Sequence, residues 1–308
     1  MWRRLGPEAA QVIDSRYVYG FDPAAPPRLI LGPEGATALA TDAAIRRVPM
    51  AVPTDDTRIG CVADGADGQR LLRVAPGQVI TMFGSRLGEE GLGYGGDRFP
   101  VVLGGMRADF NGIDAPLLYT SPGQVNLQVP FEIAGLDSVD MTVTTSDGAT
   151  ESRTLGVAAQ EPSLFLAAPY QPGAGVTCNG STFGPASLAF MRNQDGSQNT
   201  CDHPAAAGSI VTLFLNGLGV TDPPGVTGAI NAASSAAVNR PAFSLLERSA
   251  RMIVAAEPDP GSISGVWRLK ILLGDQGFST ALTPIVDGQM LRVPRVAVWV
   301  SRSSGTGN

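Results

Sequence analysis

The side chains that do acid–base or metal chemistry are scarce in this 308-residue chain. It has a single histidine, His203, in "CDHP". A Ser/His/Asp triad would have to be assembled around that one imidazole, and no Gly-x-Ser-x-Gly elbow is present. His203 precedes Pro204 ahead of an apolar run, the place of a solvated loop residue. Cys178, Cys201 and His203 make a poor zinc set. Cys201-x-His203 is too tight, Cys178 has no near partner, and no fourth ligand is evident. "NQDGSQN" around Asp195 has an acidic look, but Met191 stands where a calcium loop needs an oxygen donor and the closing Glu is absent, so it reads as a turn. Asp55, Asp56, Asp64 and Asp67 are the remaining carboxylates from which a calcium site could be drawn. "GLGYGG" (Gly91 to Gly96) lacks the Gly-Lys-Ser/Thr of a phosphate loop and reads as a glycine-rich loop around Tyr94. Asn179-Gly-Ser fits a glycosylation sequon and also a plain turn. No cofactor is implied, and the chain reads as non-catalytic.

Binding chemistry has somewhat more material. Trp2, Trp267 and Trp299 are too scattered to define a stacking platform, and Trp267 is expected in a core; Tyr94, Tyr119 and Trp267 are the weak aromatic candidates for ligand contact. Three cysteines leave two arrangements open. Cys178 and Cys201 share one turn-rich segment and either close a disulfide, with Cys61 left over, or stay as free thiols. A bridge there would add about 3 kcal/mol and needs an oxidising compartment.

The elements that must position these residues are strands. Apolar residues make up 44% and charged residues 16%, too hydrophobic for a disordered chain. Gly (38) and Pro (24) together approach a fifth of the residues, which favours short strands joined by turns. Net charge is −6, and Arg3-Arg4 and Arg46-Arg47 are isolated pairs, so no basic face for nucleic acid is present. No apolar run reaches the roughly 18–20 residues of a membrane helix. The start, "MWRRLGPEAAQVIDSRY", has no apolar stretch after its arginines and is not a recognisable secretory signal.

Residues 1–60 read as an irregular segment in which "RYVYGF" and "RLIL" are strand candidates and "DPAAPP" is an extended break. From Leu71 the alternation becomes regular. In "QVNLQVP" Val125, Leu127 and Val129 face one way and Asn126 and Gln128 the other. Asn111-Gly112 and Asp147-Gly148 mark hairpins, because both positions of such pairs tolerate positive φ. About seven short strands in roughly 90 residues describe an immunoglobulin-type sandwich. A second series follows, with a turn at Asp195-Gly196, the strand "VWRLKILL" and a last strand broken by Pro294; Thr221 to Asn239 reads as a surface loop.

One segment is written twice. "VAPGQVITMFGSRLG" (Val74 to Gly88) returns as "AAAGSIVTLFLNGLG" (Ala205 to Gly219). Thr81 matches Thr212, Phe83 matches Phe214, Leu87 matches Leu218 and Gly88 matches Gly219. The repeat marks the same early strand in two tandem sandwiches, with the phenylalanines expected to anchor each core. The expected layout is an irregular segment over 1–60, a sandwich over 61–168 and a diverged second sandwich over 169–308.

"VAPGQVITMFGSRLG … VVLGGMRADFNGIDAPLLYTSPGQVNLQVPFEI … EPSLF", followed by "NQDGSQN … PAAAGSIVTLFLNGLG", resembles the uncharacterised Solibacter-type C-terminal domain family of acidobacterial secreted proteins. The likeness covers roughly residues 61–300, and Leu215 departs from it where a Gly is usual. It implies kinship to IPT/TIG-type immunoglobulin folds, an exported chain at the cell surface or beyond, and no enzymatic activity. Three functions follow as expectations: a structural or adhesive module with a protein or polysaccharide partner, a carbohydrate-binding module using Tyr94, Tyr119 or Trp267, and a hydrolase using His203.

Overall fold

A computed structural model describes residues 56–93, 96–168, 170, 173–178, 180–222, 224–231, 242–246, 252–274 and 280–301, together with the backbone of three strands between 28 and 48. Those three are β1 (Arg28–Leu31), β2 (Thr37–Thr41) and β3 (Ala44–Val48), an antiparallel sheet in the order β1-β2-β3. "RLIL" is thus a strand, whereas "RYVYGF" lies outside the described residues. No α-helix occurs among the described residues.

The first sandwich is built from β4 (Arg58–Asp64), β5 (Arg73–Val74), β6 (Val79–Ser85), β7 (Gly91–Leu92), β8 (Met106–Phe110), β9 (Ile113–Asp114), β10 (Leu117–Thr120), β11 (Gln124–Gln128), β12 (Ser138–Thr145) and β13 (Thr150–Val157). They form two five-stranded sheets, β4-β6-β11-β10-β7 and β5-β13-β12-β8-β9. The hairpin signals mark real turns. Asn111 and Gly112 have φ of 52° and 83° between β8 and β9, and Gly148 has φ 83° between β12 and β13. Alternation does the rest: Ile80, Met82, Val125, Leu127, Phe110 and Met141 are fully buried between the sheets. Each such side chain contributes roughly 1.5–3 kcal/mol by leaving water.

The second sandwich uses β14 (Ser163–Leu164), β15 (Val176–Cys178), β16 (Ser181–Phe183), β17 (Met191–Arg192), β18 (Ile210–Asn216), β19 (Phe243–Leu245), β20 (Met252–Pro258), β21 (Trp267–Leu272), β22 (Thr280–Leu282), β23 (Pro284–Val286), β24 (Gln289–Met290) and β25 (Val296–Val298). Its main sheet runs β14-β18-β21-β20, with β17 also on β18. Two small sheets, β19-β23-β24 and β22-β25, supply the opposite layer. Leu213, Leu215, Leu269 and Ile271 fill the core between.

The repeated segments occupy equivalent places. β6 lies between β4 and β11, with β10 beyond; β18 lies between β14 and β21, with β20 beyond. All these pairings are antiparallel. The chain is therefore all-β, two immunoglobulin-like sandwiches in tandem. One expectation needs correcting. The phenylalanines do not anchor the cores, because they share strand phase with Thr81 and Thr212 on the outer side. Phe83 is 38% exposed, and Phe214 stacks outside the core on Phe190 at 5.6 Å. The anchors of the repeat are Leu87 and Leu218, both buried.

Candidate functional site

Two features stand out: a polar knot where the sandwiches meet, and an open sheet face beside it. The knot is centred on Asp64, the last residue of β4, whose side chain is 0% exposed. Its Oδ1 accepts from the backbone N–H of Ala66 (2.8 Å) and Asp67 (3.2 Å), from the Ser163 hydroxyl (2.8 Å) and from the Asn216 amide (3.3 Å). Its Oδ2 accepts from the Gln78 amide (2.6 Å) and from Nη2 of Arg292 (2.8 Å). The donors Ser163, Asn216 and Arg292 come from the second sandwich. A buried carboxylate surrounded in this way is satisfied by six donors, which together offset the cost of taking it out of water.

Asn216 extends the knot. Its amide accepts from the Val79 N–H and donates to the Val79 carbonyl, both at 2.8 Å, as a neighbouring strand would. Arg292 also faces Oδ2 of Asp67 through Nε at 3.4 Å and Oε2 of Glu161 through Nη1 at 3.8 Å. Asp67 is held well above the ordinary carboxylate range, at about 6, chiefly by burial and then by the charge of Asp64.

An apolar contact flanks the knot: Val79 packs with Ile263 and Val266, against which Phe99, Leu118 and Phe165 rest. The segment Gly225–Asn231 lies here too. The Phe131 N–H donates to the Thr227 hydroxyl (3.0 Å), the Gly228 N–H to Oε1 of Gln128 (2.7 Å) and the Phe99 N–H to the Gly228 carbonyl (2.8 Å). The expected surface loop Thr221 to Asn239 is described over 221–222 and 224–231, where it carries no strand and lies at the surface, with part of it resting on the first sandwich. Its small residues permit the close approach. A Cβ on Gly225 would sit 2.3 Å from the Phe131 ring, and one on Gly77, at φ 75°, 2.2 Å from it.

The open face is the outer side of β4-β6-β11-β10-β7. Residues directly opposite one another share a face. One row is Cys61, Phe83 and Gln124; the next is Ala63, Thr81, Asn126, Tyr119 and Leu92. The second sandwich covers the Val79 end of this face. At the other end Phe83 is partly exposed and Leu92 is 74% exposed. Gln124 donates its amide to Oδ1 of Asn126 at 2.9 Å, which orients both side chains. Burial raises the Cys61 thiol above its usual range, so it stays protonated at neutral pH.

The sequence candidates separate clearly. Tyr119 is half-buried on the open face. Trp267 is 3% exposed, tilted against Phe243 at 6.4 Å in the second core, and offers no stacking surface. Tyr94, Asn179 and Asp55 lie outside the described residues. His203 is exposed, and its carbonyl accepts from the Asn193 amide at 2.9 Å. Asp195 closes the expected turn by accepting from the Ser197 N–H at 2.9 Å. Cys178 and Cys201 are bridged, with Cα atoms 5.6 Å apart, and Cys61 is free. Asp56 pairs with Arg58 on the surface, while Asp64 and Asp67 are in the knot, so these carboxylates do not converge. Among the described residues no three His, Cys, Asp or Glu side chains are placed to hold a metal ion. No helix among them is long and apolar enough to cross a membrane. Sequence reasoning missed Asn216 and Arg292; the one signal was an amide closing an otherwise apolar strand, "FLNGLG".

No family model and no curated protein matches the chain. Solved structures similar to it include a surface glycan-binding protein of Prevotella bryantii, at 12% identity and TM-score 0.25, covering 80% of this chain and 42% of that one. The adhesin FdeC of Escherichia coli is similar at 12% identity and TM-score 0.22, covering 87% and 75%. The bacterial integrin-binding protein invasin is similar at 11% identity and TM-score 0.20, covering 86% and 45%. The chain thus spans less than half of the first of these.

Proposed function

We propose that the chain is a non-catalytic adhesive or spacing module of an exported bacterial protein, presenting the open face of its first sandwich to a protein or polysaccharide partner. The observation that carries this is the asymmetry of that face. One end is sealed by the second sandwich, and the other leaves Phe83 and Leu92 to solvent beside a hydrogen-bonded amide pair. Apolar side chains set among oriented polar groups are the usual make-up of a binding patch. The polar knot supports the spacing role, since it ties the two sandwiches together through buried groups. The Cys178–Cys201 bridge supports a place in an oxidising compartment. The resemblance to acidobacterial secreted modules agrees with both.

Carbohydrate binding is the second reading, favoured by Tyr119 standing directly opposite Asn126, an aromatic beside an amide on one face. The test is calorimetric titration of the full chain with a panel of soluble polysaccharides and extracellular matrix proteins. Phe83→Ala and Tyr119→Ala should weaken any binding found by tenfold or more. Binding unchanged in both variants would remove this face from the account.

A further inference from the structure

The knot contains more negative charge than its one guanidinium balances. Asp64 and Asp67 have side chains at 0% exposure, Glu161 stands at its edge, and Arg292 is shared among all three. Asp64 is fully supplied with donors. Asp67 is not. Its Oδ1 accepts from the Gln69 N–H at 2.8 Å, but among the described residues its buried Oδ2 has no hydrogen-bond partner, and neither has the buried Nε of Arg292 that faces it. Arg70, on the same turn, is exposed, and its charge acts on Cys61. Among the described residues the charged groups facing Asp67 are therefore Asp64 from β4 and Arg292 from the second sandwich, with Glu161 behind Arg292.

We propose that the joint between the two sandwiches is a pH-responsive clamp, closed tightest when Asp67 is neutral and loosened when Asp67 ionises. The chemistry is a single protonation. In the closed joint an ionised Asp67 is a second buried carboxylate beside Asp64, competing for one arginine. Adding a proton removes that repulsion while Arg292 keeps its pairing with Asp64. Opening the joint withdraws Ser163, Asn216 and Arg292 and lets water reach Asp67, which then returns to ordinary acidity.

The sign follows from linkage. A carboxyl that holds its proton more tightly closed than open favours the closed state below its ordinary range. That advantage is lost as pH rises through about 6. Across the window from 3.8 to about 6 the opening constant rises up to tenfold per pH unit, a ceiling of about 100-fold. The proposal does not depend on what the open face binds.

The experiment is native-state hydrogen exchange on the full chain between pH 4 and 8, corrected for intrinsic exchange. Two reporters cross the joint: the Val79 amide, bonded to Asn216, and the Leu166 amide, bonded to the Ala66 carbonyl at 3.0 Å. The Leu127 amide, inside the first sandwich, is the control. Opening at the two joint amides should rise tens of times from pH 4 to 7 while the control stays flat. Asp67→Asn, which mimics the neutral acid, should stay protected at pH 8 as the natural chain is at pH 4. Equal pH profiles for the variant and the natural chain would overturn the clamp. So would joint protection in the natural chain that does not change with pH, a result that needs no variant to fold.

Discussion

The two sandwiches solve one packing problem with different materials. The first closes its core with two five-stranded sheets and uses no covalent help. The second keeps the four-strand arrangement around the repeated segment but faces it with two fragments, β19-β23-β24 and β22-β25. Where its sheet gives out, a satellite cluster of Ala186, Ala281, Ala297 and Trp299 packs beside Cys178 and Cys201. The lesson is that a disulfide near a small apolar cluster substitutes for missing ladder. Closing a loop of 23 residues restrains the unfolded chain by about 3 kcal/mol, comparable to burying one or two large side chains.

The largest expected effect is on what holds the halves together. Asp64→Ala strands the Gln78, Ser163 and Asn216 donors and leaves Arg292 without its main partner. It should cost about 3–5 kcal/mol in denaturant unfolding, and it should separate the melting of the two sandwiches. Next comes the disulfide. In the Asp64→Ala background, where the halves melt apart, Cys178→Ser with Cys201→Ser should lower stability by about 3 kcal/mol, with the loss confined to the second sandwich in calorimetry. An equal loss in both halves would contradict the contrast drawn here. Gly77→Ala should follow at about 1–3 kcal/mol, because φ 75° and the Phe131 ring both exclude a methyl group.

The smallest effect sharpens the comparison through pH. The Glu257 carboxyl is lowered from its usual range because Lys270 and then Arg268 donate to it, at 2.9 and 2.8 Å. Its stabilisation is present above the ordinary 4.5 and fades as pH falls. Since the pair is about a third exposed, Glu257→Gln should cost only about 0.5 kcal/mol at pH 7 and progressively less as pH falls below 4.5. Asp67 has the opposite sign. Mild acid should therefore tighten the joint while this ion pair, intact above 4.5, is unchanged, and thermal melts of Asp67→Asn and Glu257→Gln at pH 5 and 7.5 separate the two.

Much of this architecture could be read from spacing. Val125, Leu127 and Val129 fall into the core because a strand alternates with period two, and the repeat was visible because two central strands meet the same demands. The direction of Phe83 was misread because an apolar residue in an apolar run carries no phase of its own. Only its register with Gln124 and Cys61 shows that it faces outward. The joint was less legible still. Asp64 lies 228 residues from Arg292 and 152 from Asn216, and no local pattern connects such partners. Asp64 and Asp67 were noticed only as carboxylates. Their burial depends on a second sandwich arriving over them.

Residual dipolar couplings of backbone amides, measured on the full chain at pH 5, test the central claim most directly. One alignment tensor should fit the amides of the strands from β4 to β13 and from β14 to β25 together, as two sandwiches locked by a buried knot require. Two distinct tensors of different magnitude would show halves that move independently, and the joint described here would not exist in solution.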